Sequence, residues 1–142
     1  MICTLGTTIK DSGSKAAFKR VDHDYPLMVA NLTHQYGAST YVLNSAIGAN
    51  ENSKIFYNQV KGELERDLQA IGFNSLTLVQ PGLIGGKRDE FRLGEQILAI
   101  TLTVFNPILP KRWRISPADN IAKALLDSVI DSKSGCHYIG SE

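Results

Sequence analysis

The stretch Asn44-Ser45-Ala46-Ile47-Gly48-Ala49-Asn50-Glu51-Asn52-Ser53-Lys54-Ile55-Phe56-Tyr57-Asn58-Gln59-Val60-Lys61-Gly62-Glu63-Leu64-Glu65 joins an apolar run to an amphipathic one. Just before it, Tyr41-Val42-Leu43 reads as a buried strand. The Gly- and Asn-rich centre, Ala46 to Asn52, reads as a loop. Beyond the loop, Phe56, Val60, Leu64 and Leu68 recur every four residues, the spacing of a buried helix face. The predicted helix runs from about Ser53 to Ile71, and Gly72 closes it. Tyr57 and Lys61 are four residues apart, so they share one side of that helix at the edge of the apolar stripe. An ammonium near a phenol favours the phenolate and lowers the tyrosine pKa toward working pH. A tyrosine tuned in that way gives a proton to a carbonyl oxygen or takes one from an alcohol. The same spacing also arises as a half-exposed Tyr beside a solvated Lys. The neighbourhood favours a site: the pair follows a strand that ends at Ser45, and the next strand ends at Pro81-Gly82. Ligands in open α/β sheets bind at the carboxyl ends of strands.

Outward from this stretch, strands and helices alternate. Met1 to Leu5 reads as a strand stopped by Gly6-Thr7-Thr8, Leu76 to Val79 as another, and Cys136 to Ile139 as the last. Helices are predicted over Ala16 to Val21, over Asp24 to Tyr36 with Asp24 as N-cap and Gly37 as stop, and over Leu93 to Val104. The last predicted helix opens on Ser116 as N-cap with Pro117 and Asp119 in its first turn, and runs to about Ile130. Alternation of this kind predicts a three-layer α/β fold, a parallel sheet with helices on both faces.

Composition narrows the function. The chain has 142 residues, enough for one domain with a sizeable core, and an apolar fraction of 43% that is ordinary for a globular protein. A formal net charge of +1 gives no electrostatic case for nucleic acid. The basic run Lys111-Arg112-Trp113-Arg114 is therefore expected to be a surface segment with Trp113 packed inward. Three scattered histidines and two distant cysteines, Cys3 and Cys136, have neither metal-ligand nor disulfide spacing, which fits a reducing, cytoplasmic location. The most hydrophobic stretch, Ile97 to Phe105, is too short to span a bilayer, and the N-terminus carries no signal-peptide pattern, so no membrane partner is expected.

Several of these pieces, taken together, resemble the short-chain dehydrogenase/reductase superfamily, in its atypical branch. They are Leu5-Gly6-Thr7-Thr8, Phe18 with Val21-Asp22, Ser45 with Gly48-Ala49, Phe56-Tyr57-x-x-Val60-Lys61-Gly62-Glu63-x-Glu65, Pro81-Gly82-Leu83-Ile84-Gly85, and Arg88-x-Glu90-x-Arg92-x-x-Glu95. The resemblance covers nearly the whole chain and implies a Rossmann-type domain that binds NAD(P), with residues 1–142 as its C-terminal portion. It implies roles as well. Tyr57 would handle the proton, Lys61 would bond the nicotinamide ribose and tune Tyr57, and Ser45 would hold the oxygen of a small carbonyl or alcohol substrate. Leu5, Gly6 and Thr7 would border the cofactor, Pro81 and Gly82 would lie near the nicotinamide, and Arg88 and Arg92 would clamp substrate or form a solvated charged turn.

Three departures from the family pattern stand out. The Gly-rich strand–turn–helix that takes the pyrophosphate is absent from the sequence, which reads as truncated at that end of the sheet and weakens the expected NAD(P) binding. Ala46 stands where the family usually has a second serine, and Gln80 where it often has an arginine. Two expectations follow: a hydride-transferring oxidoreductase, or a cofactor-free module that binds a partner protein or dimerises through its exposed first strand.

Overall fold

The computed structural model describes residues 1–82, 84–85 and 116–140. Within them β1 (Ile2–Cys3), β2 (Thr40–Asn44), β3 (Ser75–Gln80) and β6 (Gly135–Gly140) form one parallel sheet in the order β1-β2-β3-β6. Ile2 pairs with Val42, Val42 with Thr77 and Thr77 with His137, so one register runs across all four strands. The two-residue strands β4 (Ile84–Gly85) and β5 (Ser116–Pro117) pair separately.

Strand alternation sends side chains to two apolar layers. Tyr41, Leu43, Leu76 and Leu78 face α3 (Tyr25–Gln35) and α4 (Phe56–Gln69), where they pack with Ala30, Leu64, Leu68 and Phe73. Val42 and Val79 face the opposite way, onto Ile121 and Leu125 of α5 (Ala118–Asp131). The fold is therefore the expected three-layer α/β Rossmann-like arrangement, helices on both faces of a parallel sheet.

Some local expectations need correction. Between α1 (Ile9–Ser12) and α3 the chain does not break into two helices: α2 (Lys15–Lys19) runs through a π-helical turn, Arg20–Asp24, directly into α3. Asp24 has helical dihedrals and caps nothing with its side chain. Pro26 has no N–H to give the helical ladder, and the wider turn just before it is where that ladder yields. On α3, Ala30 and Pro26 face the core, while Leu32 is 48% exposed. Helix α4 begins at Phe56, three residues later than expected, since Ser53 spends its hydroxyl accepting the Ile55 N–H. Ser116 is not the N-cap of α5. Its backbone is in the β5 ladder, and Pro117 occupies the cap position without a side-chain bond. The predicted helix Leu93 to Val104, the Trp113 segment, and Arg88 and Arg92 lie outside the described residues.

Gly62 lets α4 lie flush against the loop before it. A Cβ on Gly62 would stand 2.2 Å from both the Asn50 carbonyl carbon and the Glu51 nitrogen. The loop is tied to the same helix by the Asn50 N–H, which donates to the Asn58 carbonyl at 2.9 Å, and by the Arg66–Glu51 ion pair at 2.6 Å. The close approach sets the position of α4 against the strand end at Ser45.

Candidate active site

A cavity of about 620 Å³ opens where β1 and β2 end. Its lining brings together Leu5, Gly6 and Thr7 from the turn after β1, Ser45 from the end of β2, and Tyr57 and Lys61 from the first two turns of α4. Those are six of the positions singled out from sequence. Pro81 and Gly82 follow β3 but are not among its described lining; the Pro81 carbonyl instead accepts the Ile47 N–H at 3.0 Å and fixes the loop after Ser45.

The Tyr57 ring is placed by Phe18, fully buried on α2, whose ring centroid lies 5.6 Å away. The Lys61 ammonium is 6.0 Å from the Tyr57 ring centroid. Its direct partner is a residue sequence reasoning did not assign to the site, Asp22, at 2.7 Å. Both ends of this ion pair are buried, Lys61 to 4% and Asp22 to 1% exposure. The second Asp22 oxygen accepts the Thr7 N–H at 2.8 Å. Electrostatics at the phenol consequently run opposite to expectation: burial and, after it, the Asp22 charge push the Tyr57 pKa up rather than down.

Ser45 is buried, and its hydroxyl donates to the Glu65 carboxylate rather than to backbone. Glu65 also accepts from the Gln80 amide, at 3.0 Å to each oxygen. Glu65 continues the series Tyr57, Lys61 at the same four-residue interval, so its place under the site was readable from spacing. Burial raises its pKa, against the lowering effect of the Ser45 and Gln80 hydrogen bonds and the Lys61 charge. Gln80 brings no positive charge to this carboxylate where the family often has an arginine. The Asp22–Lys61 pairing, 39 residues apart, had no such signal beyond the Val21-Asp22 match.

One further group is unspent. The side-chain oxygen of Asn44, which also lines the cavity, is buried without a hydrogen-bond partner among the described residues. Together the lining offers an ammonium and a phenol, which fit a sugar hydroxyl and a polar ring. The described lining holds Asp11 and Asp22 against the single cation Lys61, so it has no cradle for a diphosphate. No cluster suited to a metal ion occurs among the described residues, and no described helix is long and apolar enough to cross a membrane.

No protein-family model matches the chain. Curated proteins do. Protein fmp52, mitochondrial, of Emericella nidulans is 34% identical over 144 residues, 99% of this chain and 61% of that protein. Protein HTATIP2 of Rattus norvegicus is 34% identical over 136 residues, 94% of this chain and 54% of that protein. The chain thus spans between half and two thirds of the length of these relatives. Among solved structures, UDP-glucose 4-epimerase with UDP-glucose from Thermotoga maritima superposes with a TM-score of 0.67 at 15% identity, covering 98% of this chain and 55% of that one. That likeness carries the fold. The expected cytoplasmic location is overturned here, since the fungal relatives are named as mitochondrial proteins. The signal missed was not compositional: cysteine usage reports redox setting, not address. In line with the resemblance read from the motifs, the chain is similar over nearly its whole length to HTATIP2 and the fmp52 proteins.

Proposed function

We propose that this cavity is the reacting end of an NAD(P)-dependent oxidoreductase acting on a small carbonyl or alcohol. One observation carries the reading: Gly6-Thr7, Ser45, Tyr57 and Lys61, contributed by three separate stretches, line a single cavity at the carboxyl ends of adjacent parallel strands. NAD(P), when bound, supplies or accepts the hydride. The chain's own residues supply the rest. Lys61 meets ribose hydroxyls, and Tyr57 gives or takes the proton at the substrate oxygen. Ser45 supports the strand end through Glu65 and does not hold the substrate oxygen while that bond persists. The family's diphosphate turn is not among the described residues. Arg88 and Arg92 remain candidates for the substrate clamp.

The test is thermal unfolding with and without NADPH or NADH. A ligand that binds the native state raises the midpoint, by about 2.7 kcal/mol of stabilisation at a hundred times its Kd. The expected result is a rise with millimolar cofactor that shrinks in Lys61→Met relative to its own ligand-free midpoint. No rise for either cofactor removes the reading. It would favour instead a cofactor-free module that pairs with a second copy along β1, which has β2 as its one partner among the described strands.

A further inference from the structure

Glu65 is buried to 6% exposure and is not part of the cavity lining, but it bonds a residue that is, Ser45. Its side-chain partners among the described residues are neutral, the Ser45 hydroxyl and the Gln80 amide. The Lys61 ammonium, one turn back on α4, is bound to Asp22 at 2.7 Å. Cys136 and Tyr138 face the carboxyl from β6 and bring no positive charge. A carboxyl buried among neutral partners is costly to ionise and takes up a proton more readily than an exposed one.

The proton changes what the neighbours have to do. An ionised carboxylate only accepts, so beside it Ser45 has to donate, and the serine hydrogen is held inside the protein. A protonated carboxyl has an O–H of its own. That O–H donates to the serine oxygen, and the serine hydrogen is released to turn toward the cavity that Ser45 lines. Gln80 serves both states without moving. Its amide nitrogen lies 3.0 Å from each Glu65 oxygen, so whichever oxygen takes the proton, the other still accepts.

We propose that Glu65 is a positioning residue that sets the direction of the Ser45 hydroxyl: ionised, it draws the serine hydrogen away from the cavity, and protonated, it makes the same hydroxyl a hydrogen-bond donor to an oxygen bound there. One proton taken from solvent by the carboxyl makes one donor available at the strand end. Burial raises the Glu65 pKa above 4.5, against the Ser45 and Gln80 hydrogen bonds and the Lys61 charge, so the exchange falls above that pH. That the oxygen belongs to a carbonyl or alcohol substrate rests on the oxidoreductase reading; the reversal of the bond does not.

The experiment uses the ligand-free chain, so its result is separate from whether NAD(P) binds. Glutamate labelled with ¹³C at the side-chain carboxyl reports the charge of Glu65, assigned by its loss in Glu65→Gln. Serine labelled with ¹³C at Cβ reports the hydroxyl of Ser45, assigned by its loss in Ser45→Ala. In equal parts of light and heavy water a serine Cβ line is split when its hydroxyl exchanges slowly, as when it is held in a buried bond, and merges when the hydroxyl meets water. The expected result is a Ser45 line that is split above the Glu65 midpoint and merged below it, with that midpoint above pH 4.5. Gln80→Arg sets a cation against the carboxylate and should move the carboxyl midpoint and the merging of the Ser45 line down together, by about 1–3 pH units. In Glu65→Gln the line should be merged throughout. A Ser45 line that stays split below the Glu65 midpoint, or merges at a pH that does not follow it in Gln80→Arg, overturns the proposal, as does a wild-type midpoint at or below 4.5. Should Glu65→Gln not fold, the carboxyl signal is assigned through bonds to its own amide, and the wild type with Gln80→Arg decides the matter.

Discussion

Replacing Gly62 by alanine tests how tightly the site is built. In an isolated helix the change would stabilise by about 1 kcal/mol, because alanine is the better helix former. Here the new methyl would meet the Asn50 carbonyl carbon and the Glu51 nitrogen at 2.2 Å and the Asn50 Cα at 2.5 Å. The shortest of these falls roughly 1.3 Å inside an ordinary carbon–carbon contact. All three atoms are backbone, so no rotamer change gives relief, and either the loop or α4 has to move. Moving the loop strains the Asn50–Asn58 hydrogen bond and the Glu51–Arg66 ion pair that hold it. Overpacking of this kind costs about 1–3 kcal/mol, and more where the backbone resists. Taking the upper part of that range and allowing for the propensity gain leaves a net loss of about 2 kcal/mol. For a chain of this size that lowers Tm by roughly 5–10 °C. The assay is thermal unfolding followed by far-ultraviolet circular dichroism at fixed protein concentration. A Gly62→Ala protein that melts at or above the wild-type temperature would refute the close approach, and with it the way α4 is set against Ser45.

Other expectations are more local. Phe18→Ala empties a fully buried site behind Tyr57, and should lower stability by about 3–5 kcal/mol in chemical denaturation; a loss under 1 kcal/mol would mean the ring does not support Tyr57. Lys61→Met leaves the Asp22 carboxylate buried without its cation, costing about 3–5 kcal/mol by the same assay, and the additional change Asp22→Leu should recover much of the loss. If the double variant is no better than Lys61→Met, the pair is not coupled. Glu65 has its pKa raised above 4.5 by burial, so the folded state holds that proton more tightly than the unfolded one. Its contribution to stability is then greatest below pH 4.5 and falls as pH rises through the folded pKa. Relative to Glu65→Gln, the wild type should lose ground in urea unfolding from pH 4.5 upward, and a difference independent of pH would count against a protonated Glu65.

The layers were legible because each strand is bounded by turn residues and each buried helix face repeats at its own period. Tyr41 to Leu43, and Val60, Leu64 and Leu68 of α4, fell where the pattern put them. The cavity was legible in outline, since Gly6-Thr7, Ser45, Tyr57 and Lys61 all sit at strand ends or one turn into a helix. The polarity of its electrostatics was not. Spacing along α4 relates Lys61 to Tyr57, but the stronger partner comes from another segment, and at 2.7 Å a buried carboxylate outweighs a ring centroid 6.0 Å away. The π-helical turn was also hidden, because Asp24 followed by Pro26 is good chemistry for a helix start and nothing local says that the helix was already under way.

That turn has a consequence for how the protein tolerates changes of length. A π winding is an α-helix with one residue wound in, so deleting a residue between 20 and 24 would let the backbone close as uninterrupted α-helix. The wide turn takes up the extra residue, so the segments on either side would keep their facing and Phe18 would stay beside Tyr57. The loss would fall inside the turn: successive residues of a regular α-helix point about 100° apart, so Asp22 and His23 could not both reach α4. A lineage that lost the residue would keep the fold's outline while giving up one of these two anchors of α4.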